Sequence, residues 1–258
     1  MVKGLYNLSA LRRFKVPGTD VQLLTTTSKM PGPSFSLPAH KSCPGSMDLV
    51  GLPGSVCSYC YASKGMYTLT SVIRAQQARM AWVTDTLRHG RPREFVDLVE
   101  DAIKATECKW FRLHDSGDFF SPDYVACWAA TASSCPDVLF YAPTRSYRIP
   151  KIGRALVAAA QVKNLIIRPS ADMVGDAPPN VVGLSAGTTV HRGEVAYRFE
   201  CNRCHRDMKG TTGYDGACAC GGLIQNRVLC PAHEQGNECG GCRACWSRPG
   251  VAISYPLH

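Results

Sequence analysis

The sequence predicts an α/β protein that contains a mostly parallel β-sheet. Short apolar runs alternate with longer segments of helical periodicity between residues 70 and 185, and that alternation is typical of right-handed β-α-β units. The chain has 258 residues, of which 45% are hydrophobic, so it can bury the core of one full domain. Polar residues directly follow the predicted strands, at the position where parallel sheets commonly hold their functional groups.

Four helices are predicted from apolar residues at helical spacing. The longest covers about 70–88, and Gly90 and Pro92 end it. The others cover about 93–106, 122–133 and 152–162. Before them, residues 1–42 are expected to form an irregular lead-in with one strand at 21–26, because prolines interrupt this stretch.

Four further strands are predicted, each a short run of mainly apolar residues. They cover residues 109–114, 138–141, 164–168 and 181–185. Each runs into a polar turn, and the turns span residues 114–120, 141–145, 168–172 and 185–188. Because the carboxyl ends of parallel strands meet at one edge of a sheet, the four turns together predict a ligand pocket there.

Fourteen cysteines are distributed unevenly along the chain. Cys108, Cys127 and Cys135 stand alone in or beside predicted helices, and we interpret them as small core residues. The other eleven fall within 43–60 and 201–245 at metal-ligand spacings. The N-terminus lacks a signal-peptide core, and no apolar run is long enough to span a membrane. We therefore expect a cytoplasmic protein whose clustered thiols bind metal instead of forming disulfides.

The first cysteine group consists of Cys43, Cys57 and Cys60 in a loop rich in glycine and proline. Such a loop can fold back and bring Cys43 beside the other two thiols. Three thiolates on one metal centre leave a coordination position open. The spacing therefore predicts a reactive metal site.

The second cysteine group divides by spacing into two sets of four. One set has the Cys-x-x-Cys-x-x-Cys and Cys-Pro pattern that encloses a four-iron cluster in bacterial ferredoxins, and it consists of Cys230, Cys239, Cys242 and Cys245. Zinc at these four thiols is the alternative. The other set brackets a polar loop and predicts a small zinc knuckle, with a reduced surface loop as the alternative; it consists of Cys201, Cys204, Cys218 and Cys220.

The first cysteine loop and the turn at 116–118 resemble parts of the radical S-adenosylmethionine superfamily. Cys57-Ser58-Tyr59-Cys60 is similar to the second half of that superfamily's Cys-x-x-x-Cys-x-aromatic-Cys motif, although thirteen residues instead of three separate Cys43 from Cys57. The resemblance implies a partial β/α barrel with a four-iron cluster and S-adenosylmethionine on its open iron. We accordingly divide the chain into a radical S-adenosylmethionine-like β/α domain at 1–199 and a Cys-rich metal-binding segment at 200–258, which contains the knuckle, the iron–sulfur motif and a final strand.

The same resemblance assigns roles to residues of the loop and the polar turns. The residues expected to bind the cofactor are Tyr59, Ser116, Gly117, Asp118, Ser170 and Ser185. Asp118 and Arg145 are expected to act in catalysis as contacts to cosubstrate or substrate.

Over most of its length the chain also resembles a family of phage and actinobacterial proteins called gene product 88. The similar motifs are Ser-Cys-Pro-Gly at 42–45, the cysteine loop at 57–67, Asp-Ser-Gly-Asp-Phe-Phe at 115–120 and Cys-Gly-x-Cys-Arg-x-Cys-Trp at 239–246. The name of that family assigns no reaction, so the resemblance supports the fold and the clusters.

Two functions of different classes are compatible with these features. The first is a radical enzyme that acts on a small molecule of unknown identity and receives electrons from a donor protein. The second is a non-catalytic iron–sulfur or zinc protein of a phage, located in the host cytoplasm, that senses redox state or contacts nucleic acid or a host protein. The formal net charge is +9, but the basic residues are scattered, which favours a solvated surface over a phosphate-binding patch.

We expect anaerobically purified protein to contain about eight irons and about one zinc per chain, because the spacings imply two four-iron clusters and one knuckle. Elemental analysis and the brown absorbance of iron–sulfur clusters measure this directly. Protein that contains zinc alone and has no brown chromophore would contradict the prediction.

Overall fold

The computed structural model describes residues 6–26, 30–192, 199–201, 224–233, 238–239 and 241–257. The helices in these residues are α1 (Leu8–Leu11), α2 (Thr70–Arg88), α3 (Pro92–Thr106), α4 (Pro122–Ser134), α5 (Pro150–Ala159) and α6 (Ala244–Ser247). The strands are β1 (Ser34–Phe35), β2 (Trp110–Leu113), β3 (Leu139–Thr144), β4 (Leu165–Pro169), β5 (Thr188–His191), β6 (Phe199–Cys201), β7 (Ile224–Leu229) and β8 (Ala252–Pro256). No helix within the described ranges is long and apolar enough to cross a membrane.

A four-stranded parallel sheet in the order β1-β2-β3-β4 forms the centre of the fold. Side chains alternate between the two faces of each strand, and one face packs against the helices, where Phe111 meets Trp128 of α4 at a ring separation of 5.7 Å. The core residues that the strands place on this face are Phe111, Leu113, Phe140, Ala142, Leu165 and Ile167. By the same alternation, Arg112, Tyr141 and Arg168 lie on the opposite face, which we call the inner face.

Strands β5, β8, β7 and β6 form a second sheet in that order. Its pairs are parallel except for β6 with β7. One parallel bridge between Ser170 and Thr188 connects β4 to β5, and the described strands do not close into a barrel. Because β8 pairs with β5, a sheet connects the predicted segments 1–199 and 200–258.

The predicted helices are confirmed, and α2 has the predicted bounds. Local sequence explains where helices begin and end. Pro92 and Pro122 occupy first-turn positions, where a missing N–H has no cost, and the Ser121 hydroxyl caps α4 by accepting from a backbone N–H. Cys108, Cys127 and Cys135 are buried in the core, as predicted.

Two strand predictions are wrong. Residues 21–26 form only isolated bridges, because the buried Arg79 guanidinium of α2 donates to the carbonyls of Gln22 and Leu23. Residues 181–185 are also irregular, with Val182 90% exposed, and the strand follows them as β5. The apolar run at 181–185 is therefore not a buried strand.

The C-terminal segment covers part of the inner face. Its helix α6 places Trp246 against the rings of Trp110 and Tyr141, at 6.1 and 5.3 Å, and Trp246 Nε1 donates to Phe111 O at 3.0 Å. The fully buried Arg168 donates to five carbonyls of this segment and its approach, namely Ala186, Ala244, Cys245, Arg248 and Val251. The segment is thus fixed to the sheet by one guanidinium and one indole.

His114 follows β2 and is buried among aromatic rings. Its Nε2 lies 2.9 Å from Tyr124 Oη, while its Nδ1 has no hydrogen-bond partner among the described residues. Burial, and secondarily the charge of Arg112, lowers the pKa of His114 to about 3. The imidazole is therefore neutral in the folded protein.

This burial predicts a loss of stability in acid. The unfolded imidazole has a pKa of about 6.5, so the unfolded state binds a proton first and the free energy of unfolding falls from about pH 6.5 down to about pH 3. Between pH 7 and 5 the loss is about 2 kcal/mol, measurable by urea unfolding. In His114→Gln this part of the pH dependence should vanish. Tyr124→Phe, which keeps the imidazole, should be less stable at both pH values but retain the dependence; equal pH dependence in all three proteins would refute the assignment.

Candidate metal and ligand site

The loop that carries Cys43 is fixed at the C-terminal edge of the first sheet by close backbone approaches. Gly117, in the turn after β2, has φ +87°, and a Cβ there would lie 2.5 Å from Ser42 Oγ. A Cβ at Gly45 would overlap the carbonyl group of Arg145, after β3. Both glycines are therefore required for Cys43 to lie against these two turns.

Arg148 fastens the same loop by charge. It donates to Gly45 O at 2.7 Å and to both carboxylate oxygens of Asp48 at 2.7 Å, and its Nε lies 3.2 Å from Asp172 Oδ2. A bidentate arginine–carboxylate pair fixes orientation as well as distance. Residues 44–48 are thus tied to the turns after β3 and β4.

Cys57 and Cys60 are held by the segment after β4. Val56 N donates to Asp172 O at 2.8 Å, immediately before Cys57. The Ser55 side chain caps the short 3-10 turn of residues 56–59, which ends next to Cys60. The loop therefore returns to the edge where it began.

The three thiols of this loop share one buried environment. The pKa of Cys43 is raised to about 12, first by burial and then by the nearby Asp118, Cys60 and Cys57. Burial also raises the pKa of Cys60, with an added effect of Cys57. Thiolates gathered here need a compensating positive charge, which a metal centre provides. Three sulfur donors on one loop are the type of ligand that the predicted metal centre requires.

Asp118 connects the turns after β2 and β3. Its Oδ1 accepts from Phe119 N at 2.7 Å and Thr144 Oγ1 at 2.6 Å, and its Oδ2 accepts from Arg145 N at 2.9 Å. Burial raises the pKa of this carboxyl, against the effect of these donors. A carboxylate has about four acceptor sites, so Asp118 can hold the turns together and still accept one further donor near Cys43.

The predicted cofactor residues are only partly brought together. Ser116 and Gly117 lie beside the Cys43 loop, where Ser116 Oγ donates to Leu37 O at 2.8 Å. Arg145 reaches the turn after β4, and its guanidinium donates twice to Ala171 O. These residues and Asp118 form one group at the edge of the sheet.

Three other predicted residues make different contacts. Tyr59 accepts a hydrogen bond from Arg192 Nη2 at 2.7 Å, and the cations of Arg192 and Lys64 lie 5.1 and 6.0 Å from its ring centroid. Ser170 Oγ accepts from Thr188 Oγ1 at the bridge between the sheets. Ser185 N donates to Ile167 O, which places Ser185 beside the middle of β4 and away from its C-terminal end.

The predicted ferredoxin-like cysteines line one cavity next to β8. Its cysteine walls are Cys230, Cys239, Cys242 and Cys245, and its apolar walls include Val228, Trp246 and Ile253. Cys245 Sγ lies 3.1 Å from Tyr255 Oη. Burial raises the pKa of Cys245 to about 11, while Arg168 and Arg112 lower it. Four thiols around one cavity, with arginines to offset their charge, fit the donor set of a metal centre.

No group of three or more His, Cys, Asp and Glu side chains within the described ranges has a geometry that could hold a metal ion. The predicted zinc knuckle cannot be placed: Cys204, Cys218 and Cys220 lie outside the described residues, and only the backbone of Cys201 is described, as the last residue of β6.

The structure adds polar residues that sequence reasoning missed. Arg112 lies on the inner face, and Asp115 accepts from Ser34 Oγ at 3.1 Å, from Ser36 Oγ and from Tyr67 Oη at 3.0 Å. A charged residue inside the predicted strand Trp-Phe-Arg-Leu-His was the available signal, because a central strand does not expose it to bulk solvent.

Fold and site together define a mixed α/β protein with two groups of clustered cysteines, one at the C-terminal edge of a parallel sheet and one beside the inner face. The chain belongs to the Gene product 88 family, whose model matches residues 10–248. It is 29% identical over 218 residues to the Gene 88 protein of Mycobacterium phage D29 and 28% identical over 222 residues to that of Mycobacterium phage L5, with 82% of each chain covered in both comparisons. No solved structure matches the chain.

Gly45→Ala tests whether the close approach holds the first cysteine loop in place. The added methyl group overlaps backbone, so we expect a loss of about 1–3 kcal/mol in unfolding free energy and weaker metal retention by the loop. Gly250→Ala is the matched control, because a Cβ there meets no atom within 4 Å. Chemical unfolding and iron content measure both effects; equal behaviour of the two variants would show that the loop has room to move.

Proposed function

We propose that this protein is an iron–sulfur enzyme similar to the radical S-adenosylmethionine enzymes, that its sheets form a partial β/α barrel of that kind, and that its substrate is a small molecule. The observation that carries the proposal is the position of Cys43, Cys57 and Cys60. They share one environment at the C-terminal edge of the parallel sheet, next to the turn Ser116-Gly117-Asp118. Parallel sheets bind their ligands at this edge.

The two cysteine groups differ in the number of thiols they offer. Three cysteines in the loop would hold a four-iron cluster and leave one iron without a protein ligand. Such a cluster, when reduced, supplies an electron that cleaves S-adenosylmethionine and starts radical chemistry. The four thiols of the C-terminal cavity would leave no open coordination position on the cluster they hold. A cluster of that kind suits electron relay or a structural role. Zinc at those four is the alternative.

The chain's own residues position and shield the ligand. Asp118 is buried and can accept one further hydrogen bond beside Cys43, which suits the ammonium group of an amino acid. Arg145 is bound to the carbonyl of Ala171 through its guanidinium and thereby keeps the turns after β3 and β4 at a fixed spacing. Rigid walls of this kind hold a bound ligand in one orientation and exclude water.

Further parts of the proposal concern partners and location. A protein electron donor reduces the clusters, and the protein works in the cytoplasm of a phage-infected host. The relatives from mycobacteriophages support that setting. A zinc knuckle at Cys201, Cys204, Cys218 and Cys220 completes the metal content.

The proposed enzymatic function can be tested by anaerobic reconstitution of the clusters. Electron paramagnetic resonance spectra are then recorded with and without S-adenosylmethionine. We expect the ligand to perturb the spectrum of one cluster, and Cys57→Ser or Cys60→Ser to abolish the perturbation while the C-terminal cluster remains. Asp118→Asn should weaken binding about 10- to 100-fold without loss of iron, because a charge-assisted contact stabilises by about 1.5–3 kcal/mol.

Asp123→Asn is the matched control, since Asp123 is exposed at the start of α4 and should leave binding unchanged. If wild-type protein with both clusters loaded shows no spectral response to millimolar S-adenosylmethionine, the proposed enzymatic function is excluded. The non-catalytic iron–sulfur or zinc protein, in contact with nucleic acid or a host protein, would then be the better description.

A further inference from the structure

Arg112 occupies the inner face between the two cysteine groups. Its guanidinium lies 5.2 Å from the ring centroid of Tyr141, and its Nε donates to His114 O at 3.3 Å. The neighbouring Phe111 and Leu113 are fully buried, whereas Arg112 is only partly buried. Since β2 is flanked by β1 and β3, the partly exposed side chain of Arg112 lies on the inner face and not at a sheet edge.

Tyrosine hydroxyls surround the same space. Tyr61 Oη is within hydrogen-bonding reach of Arg112 and donates to Asp115 O. Tyr141 Oη and Tyr255 Oη lie 2.5 Å apart. Tyr61 is 48% exposed as a residue and reaches Arg112 with its hydroxyl, so it lies between the guanidinium and solvent.

The two fully buried arginines of the described residues, Arg79 and Arg168, are occupied by several backbone carbonyls, and Arg112 is not. Arg168 donates to five carbonyls, and Arg79 donates to those of Gln22, Leu23 and Ser36. Arg112 has one carbonyl and the Tyr61 hydroxyl, although a guanidinium carries five N–H donors. Most of its donors therefore have no hydrogen-bond partner among the described residues.

Arg112 also lacks a fixed counter-charge. Among the described residues no carboxylate lies within 4.0 Å of it, and Asp115 is engaged by Ser34, Ser36 and Tyr67. Of the C-terminal thiols, Cys239 is influenced more strongly by Arg243 and Cys245 more strongly by Arg168, whereas Cys230 is influenced by Arg112 itself. A cation held away from bulk water binds an anion to offset its desolvation.

We infer that Arg112 anchors an oxyanion, a carboxylate or a phosphate group, of a small molecule that binds on the inner face among Tyr61, Tyr141 and Tyr255. A planar guanidinium with free N–H groups matches both anions in a bidentate geometry, and the hydroxyls can donate to the remaining oxygens. If the proposed enzymatic function holds, this inference makes its substrate an organic acid or a phosphate ester. The anion site itself does not depend on that function.

Protection from phenylglyoxal, which modifies accessible guanidinium groups, tests the site in the protein as purified. Peptide mass spectrometry follows each arginine separately in the presence of phosphate, acetate or chloride at equal ionic strength. We expect saturating phosphate, acetate or both to slow modification of Arg112 about tenfold relative to chloride, as one charge-assisted pair allows. Protection by phosphate alone identifies a phosphate site, and protection by acetate alone identifies a carboxylate site.

Two arginines in the same sample serve as controls. Arg74 has a side chain that is 68% exposed and should react quickly in every salt, while the saturated and fully buried Arg168 should stay unmodified. Arg112 modified at the same rate in all three salts, or as inert as Arg168, would overturn the inference. The assay involves neither cluster reduction nor S-adenosylmethionine, so it tests the anion site separately. If the cluster spectrum does not respond to S-adenosylmethionine but Arg112 is protected, the enzymatic proposal is wrong and the anion site is supported.

Discussion

The contact between Arg168 and five backbone carbonyls is the interaction on which the arrangement of the C-terminal cysteines depends. Arg168 is completely buried in β4 and takes carbonyls from both ends of α6, from the approach to β5 and from the start of β8. Carbonyl oxygens accept hydrogen bonds, and five of them satisfy the donors of the guanidinium in place of a carboxylate. Together with the Trp246 indole, this side chain fixes where Cys245 and its cavity lie relative to the sheet.

The two fully buried arginines each join one segment of the chain to its neighbours. Arg168 joins the C-terminal segment to the sheet, and Arg79 joins α2 to the irregular N-terminal stretch. Both are satisfied by carbonyl groups, which makes them structural. Arg112 is only partly buried and has few partners among the described residues, and this contrast is what distinguishes it from the two structural arginines.

Sequence periodicity was sufficient for the helices and for the turns after β2, β3 and β4, because both are local patterns. The helix at 70–88 followed from the spacing of apolar residues. The role of Arg168 could not be predicted, since its partners at 244–251 are distant in sequence. The prediction of a strand at 181–185 was wrong for a similar reason, because whether a short apolar run is buried depends on what packs against it.

The single bridge between Ser170 and Thr188 has a consequence for the order of assembly. Strands β1 to β4 and their helices are synthesised first and can pack among themselves, whereas β8 needs β5, β7 and the carbonyl contacts of Arg168 before it has a fixed place. During synthesis the sheet of β1 to β4 therefore forms before Arg168 has the carbonyl partners of the C-terminal segment. The segment with Cys230 and Cys245 docks onto that template, so the cavity forms only when synthesis has passed β8.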